Sequence, residues 1–154
     1  MTRRFEIDAE TLPDLPGMML VTVEALKDLG GSATIQELDE KVIELEGVTE
    51  AEQAFTMPRD ENRTRVNYYL AWARTYLKRG DALNNSKRGV WALTETGSAI
   101  SDLSATQAIY DQVTLEERER ARLKRLAAKK ADADRGEEIE VLAEDGPADE
   151  EDWK

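Results

Sequence analysis

Residues 64–97 read TRVNYYLAWARTYLKRGDALNNSKRGVWALTETG, and the fold is decided there. The spacing predicts a helix over about residues 62–79, ended by Gly80. At about 100° per residue, Val66, Tyr69, Leu70, Ala73, Tyr76 and Leu77 share one apolar arc. The opposite side shows Arg63, Thr64, Asn67, Tyr68, Ala71, Arg74, Thr75 and Lys78, with no carboxylate. After Gly80, residues 82–84 and 90–94 read as paired strands. Residues 85–89 form the turn between them, with Lys87 and Arg88 at its tip. A further helix is expected around residues 95–103.

Upstream, Leu15, Met18, Met19, Thr22, Leu26 and Leu29 recur at helical spacing, and Gly30-Gly31 stops that helix. Pro16 sits near its first turn, where a missing N–H costs little. Residues 32–34 are a minimal strand, and Thr34 with Glu37 reads as a capping box. That box opens a second helix with Ile35, Leu38, Val42 and Leu45 on one face, ending at Gly47. Residues 48–61 are polar, contain Pro58, and read as a loop or a broken helical turn. The order is helix, helix, helix, two-stranded wing, helix. The expected fold is therefore mainly α with a small β-wing (α+β), a winged helix-turn-helix. Its boundaries are residues 14–103, after an extended or disordered lead-in over residues 1–13. A helical extension follows over residues 104–131, with sparse apolar positions at Ile109, Val113, Leu115, Leu123 and Leu126. Residues 132–154 read as a disordered acidic tail.

The 154-residue chain has neither Cys nor His. That removes thiol chemistry, Cys-ligated metal and the side chain best suited to proton transfer near neutral pH. No catalytic residue, metal site or cofactor is expected, and the protein is read as not an enzyme. No apolar run approaches the roughly 20 residues that span a bilayer. The expectation is a soluble cytoplasmic protein without a membrane partner. The net charge is −12, but its distribution is uneven. Residues 59–91 hold eight basic and three acidic side chains, whereas residues 1–58 and 132–154 each carry a net −9. Surface fields act through patches and not totals, so a basic segment inside an acidic chain is compatible with a nucleic-acid partner.

Residues 64–97, with residues 23–31 (VEALKDLGG) and 34–38 (TIQEL), resemble the N-terminal domain of the Mrr family of restriction-system proteins. The pieces that carry the likeness best are Trp72-Ala73-Arg74 with Tyr76-Leu77-Lys78, then Arg88-Gly89-Val90-Trp91 with Leu93-Thr94-Glu95 and Gly97. The resemblance covers roughly residues 15–103, and it implies a winged helix that binds DNA. In full-length Mrr-type proteins a nuclease domain of the PD-(D/E)XK type follows. Here only a basic helix and an acidic stretch come after residue 103. Asp39-Glu40-Lys41 satisfies a D-x-K spacing, but on a helix and not on a paired strand, so cleavage is not carried over.

In a winged helix the third helix enters the major groove and the wing contacts the backbone or the minor groove. Donors to phosphates and to guanine edges are needed, with short side chains for close approach. The DNA-binding candidates are Arg63, Thr64, Arg65, Asn67, Tyr68, Arg74 and Lys78 on the helix, and Lys87 and Arg88 on the wing. A solvated helix face is the plainer account of these cations, and the missing carboxylates favour DNA. Trp72 and Trp91 are read as core residues and not as base-stacking platforms. Three roles are open to the helix over residues 114–130: a second phosphate-binding arm, a homodimer helix or a solvated helix. The tail either folds back on the basic face or merely solubilises. The expected partner is double-stranded DNA, alongside a separate effector protein. The resulting role is that of a transcription regulator, a nucleoid-associated protein or a DNA-sensing subunit of a restriction or defence-type system. The runner-up is a protein-interaction adaptor that docks a partner through the winged helix or the tail.

Overall fold

The computed structural model describes residues 3–135. Helix α1 (Leu15–Asp28) starts at Asp14, whose carboxylate accepts the Gly17 amide and so satisfies one of the first-turn donors. Its apolar residues were expected on one face, yet residues 16–23, Ala25 and Leu26 are all buried. A helix buried all round has neighbours all round, and here the N-terminal lead-in is one of them. Phe5 and Ile7 sit in the core at 3% and 4% exposure. The lead-in is therefore extended and packed. It approaches α1 so closely that a Cβ on Gly17 would lie 2.1 Å from the Arg4 carbonyl oxygen.

Buried backbone donors need partners, and two carboxylates supply them to the lead-in. Glu46 accepts from the Arg4 and Phe5 amides, the latter at 3.2 Å. Glu52 accepts from the Ile7 amide at 2.9 Å and from both terminal nitrogens of Arg3 at 2.9 and 3.1 Å. Burial alone would raise the Glu52 pKa, but Arg3 and the Thr49 and Ile7 amides outweigh it and hold the group at about 2.

Strand β1 (Ser32–Thr34) leads into α2 (Ile35–Glu46), which opens with the expected capping box of Thr34 and Glu37. Leu38 and Val42 of α2 are fully buried. The stretch read as a loop holds more structure than expected. A short helix α3 (Glu50–Ala54) is capped by a second box, Thr49 with Glu52. Strands β2 (Thr56–Met57) and β3 (Asp60–Thr64) then form a hairpin. The third helix of the sequence reading, α4 (Arg65–Arg79), consequently begins three residues later than expected, with Thr64 as its N-cap. Its arc of Val66, Leu70, Ala73 and Leu77 is buried as expected, with Tyr69 and Tyr76 half-buried.

Strands β4 (Leu83–Lys87) and β5 (Val90–Leu93) form the wing, joined at Arg88-Gly89, where Gly89 adopts φ +78°. Strand β1 adds to the other edge of β5, pairing Ala33 with Trp91, so the sheet order is β1-β5-β4, all antiparallel. Trp91 is 1% exposed, the core role expected for it. The helix expected over residues 95–103 is a single turn, α5 (Glu95–Ser98). A continuous 33-residue helix, α6 (Leu103–Arg135), follows. Its first turns pack on α1 and α4: Thr106 and Val113 are buried, and Tyr110 stacks on Tyr76 at 5.3 Å. Residues 132–135, expected to be disordered, are helical as part of α6; the remaining tail, residues 136–154, lies outside the described residues.

Candidate nucleic-acid interface

Two of the nine candidates are interior. Arg74 was expected on the outer side of its helix, but it is 1% exposed. Its Nη1 lies 2.7 Å from Asp39 Oδ1 of α2, and its guanidinium sits 5.8 Å from the centre of the Trp91 ring. The flank of α4 beside its apolar arc is thus closed by Asp39 of α2 and Trp91 of the wing, and a cation there ties three elements together. Ala71 is buried on the same side. Asp39, which the sequence offered only as part of a D-x-K spacing on a helix, is the carboxylate that makes this burial tolerable, since a buried charge needs a paired one.

Arg65 is the second correction, at 5% exposure. Its guanidinium donates to the Thr11 carbonyl at 3.1 Å and lies 5.5 Å from the Tyr69 ring. The Thr11 carbonyl is presented by a turn at Asp8, whose carboxylate accepts the Thr11 hydroxyl and the Thr11 and Glu10 amides. Those bonds lower the Asp8 pKa to about 2. The lead-in, which the sequence gives no role at the site, has absorbed a cation assigned to DNA.

The other seven keep access to solvent. Thr64 accepts the Asn67 amide at 3.2 Å as N-cap, so it belongs to the start of the helix and not to its face. Arg63, at the end of β3, places its guanidinium 5.1 Å from the Tyr68 ring, and Tyr68 meets Tyr69 edge-on at 5.0 Å. This stack brings Arg63, Tyr68 and exposed Asn67 to the N-terminal end of α4. Lys78 is half-buried at the other end of the helix, 11 residues and about 16 Å from Asn67. Lys87 and Arg88 are exposed at the wing tip.

Arg59 escaped the sequence reading as a site residue. It is exposed in the turn of the β2–β3 hairpin, between Pro58 and Asp60. A Pro-Arg turn between short polar strands was the available signal, and it is a weak one. Against these cations stands α2, which exposes Glu37, Glu40 and Glu44. Among the described residues no group of three or more acidic side chains is disposed to hold a metal ion. No helix among them is long and apolar enough to cross a membrane.

Helices α2 and α4 followed by a hairpin that pairs with the earlier strand β1 in a three-stranded antiparallel sheet, and that carries cations at its tip, define a winged-helix domain. The family model of the Mrr N-terminal domain matches residues 17–102. The chain therefore belongs to the Mrr N-terminal domain family, a non-catalytic N-terminal region tied to restriction systems. The match leaves out the lead-in and all but the start of the region beyond α5. No curated protein and no solved structure matches the chain.

Proposed function

We propose that this winged helix binds double-stranded DNA without cutting it, as the DNA-sensing part of a restriction or defence-type system. The observation that carries the reading is the wing of a family winged helix with Lys87 and Arg88 exposed at its tip. Arg63, Asn67 and Tyr68 at the start of α4 supply a second contact, and Lys78 and Arg59 extend the cationic surface. Phosphate contacts of this kind position the domain, and Asn67 is the side chain suited to read a base edge. Transcription regulation and association with the nucleoid are roles that the same binding would serve.

A mobility shift over a salt series tests the reading. Four or five phosphates neutralised by Arg59, Arg63, Lys78, Lys87 and Arg88 give a log–log slope of about −3.5 to −4.5. Absence of binding at about 50 mM salt would overturn it. The acidic face of α2 favours the second reading, an adaptor that docks a basic partner protein. That partner would be sought with the Glu37, Glu40 and Glu44 side.

A further inference from the structure

Beyond Glu117, which Arg79 of α4 holds by an ion pair, α6 leaves the body of the domain. Residues 118–131 are exposed, apart from half-exposed Ala121, Ala128 and Ala131. This arm nevertheless carries large apolar groups. Of the five exposed large hydrophobic side chains among the described residues, Leu123 and Leu126 lie here, at 55% and 51% exposure, and Leu115 stands just before the arm at 60%. At about 100° per residue, Leu115 and Leu126 fall within about 20° of each other, with Leu123 about 80° from Leu115. Leu115 and Leu126 point away from the side that packs Thr106, Tyr110 and Val113 onto the domain, and Leu123 lies between the two sides. Arg118, Arg122, Arg125 and Lys129 run along one flank of the stripe, and residues 118–135 hold eight basic and three acidic groups.

We propose that residues 136–154 of the same chain turn back along α6 and dock on this stripe. The segment has the complementary chemistry. It holds nine acidic groups and one basic group, together with Ile139, Val141, Leu142 and Trp153. Its length fits as well. Leu126 and Leu123 lie nine and twelve residues before Arg135, about 14 and 18 Å back along the helix. An extended chain covers about 13 Å to Ile139 and about 23 Å to Leu142. Trp153 has slack to reach Leu115, about 30 Å from Arg135. A second copy of α6 is the poorer occupant, because it would set one net-basic arm against another. A tethered acidic segment also meets the stripe at an effective concentration in the millimolar range. The proposal stands apart from the DNA reading.

The chain has no cysteine, so Gln112→Cys gives a single attachment point for a nitroxide near the domain end of the stripe. In the full-length, 15N-labelled protein, docking brings Trp153 within its reach, and the Trp153 indole signal should lose more than half its intensity. The loss should be the same at every protein concentration. With Leu123→Glu and Leu126→Glu together the signal should recover, while circular dichroism shows the helix unchanged. A Trp153 signal that stays sharp in the full chain overturns the proposal. Loss in a mixture of nitroxide-bearing 14N protein with unlabelled 15N protein also overturns it, since the contact would then join two copies. Shifts along residues 118–130 that need added duplex DNA, with no effect of the nitroxide before it, assign the arm to DNA and equally overturn the proposal.

Discussion

Replacing Arg74 by alanine removes a guanidinium that is 1% exposed and takes its charge away from Asp39, 2.7 Å distant. Breaking one side of a buried pair costs about 3–5 kcal/mol, because the remaining charge stays in low dielectric. That is a large part of the roughly 5–15 kcal/mol that holds a domain together. With a urea dependence of about 2 kcal/mol per M, the unfolding midpoint should fall by about 2 M. The pair itself contributes much less than its breakage costs, so Arg74→Met combined with Asp39→Leu should recover most of the loss. Urea unfolding followed by far-UV circular dichroism reads both, and the cycle completed with Arg74→Met alone and Asp39→Leu alone gives their coupling. A midpoint for Arg74→Ala that moves by less than about 0.3 M, with DNA affinity reduced, would refute the argument. Arg74 would then be a surface contact.

Leu77→Ala, at a fully buried position of α4, should cost roughly 2–5 kcal/mol in the same unfolding assay. Lys87→Glu with Arg88→Glu should leave the melting temperature nearly unchanged and weaken DNA binding, seen as a mobility shift that requires lower salt. Glu52→Gln should destabilise by roughly 1–3 kcal/mol at neutral pH, since it weakens the acceptor for Arg3 and the Ile7 amide. Because the folded Glu52 pKa of about 2 lies below its ordinary 4.5, its contribution is complete above about pH 4.5. It is lost as pH falls towards about 2. Melting curves from pH 6 downward should show the wild type losing an increment that the variant never had.

Helices α1, α2 and α4 were legible because their apolar residues repeat at 3.6 and their ends carry caps or glycines. The wing was legible from its turn residues. What the pattern could not carry was partnership between elements distant in the chain. Arg74 was read on the outer side, although a helical wheel sets it only about 40° from Leu70 at the edge of the apolar arc, and nothing local says that Asp39 and Trp91 will enclose it. Arg65 was misplaced for the same reason: its partner is a backbone carbonyl 54 residues away. The β2–β3 hairpin was missed because Asp60–Thr64, DENRT, has no buried apolar alternation and is held by backbone pairing. Phe5 and Ile7 did show a period of two, but over so short a run that it read only as extended chain. The site lost two of its cations to such contacts, while the wing tip kept both of its own.

The packed lead-in has a consequence for where this domain can be cut. The matched family span begins at residue 17, inside α1, yet the physical unit begins with Arg3 and includes the first turns of α6. A fragment of residues 17–102 would lack Phe5 and Ile7, whose burial is worth about 1.5–3 kcal/mol each. It would also lack the amides that Glu46 and Glu52 accept, leaving two carboxylates poised over an opened core. Such a fragment should aggregate or unfold, whereas residues 3–117 should melt cooperatively. Homology here outlines a module narrower than the one that folding requires, and an N-terminal fusion would have to respect the wider outline.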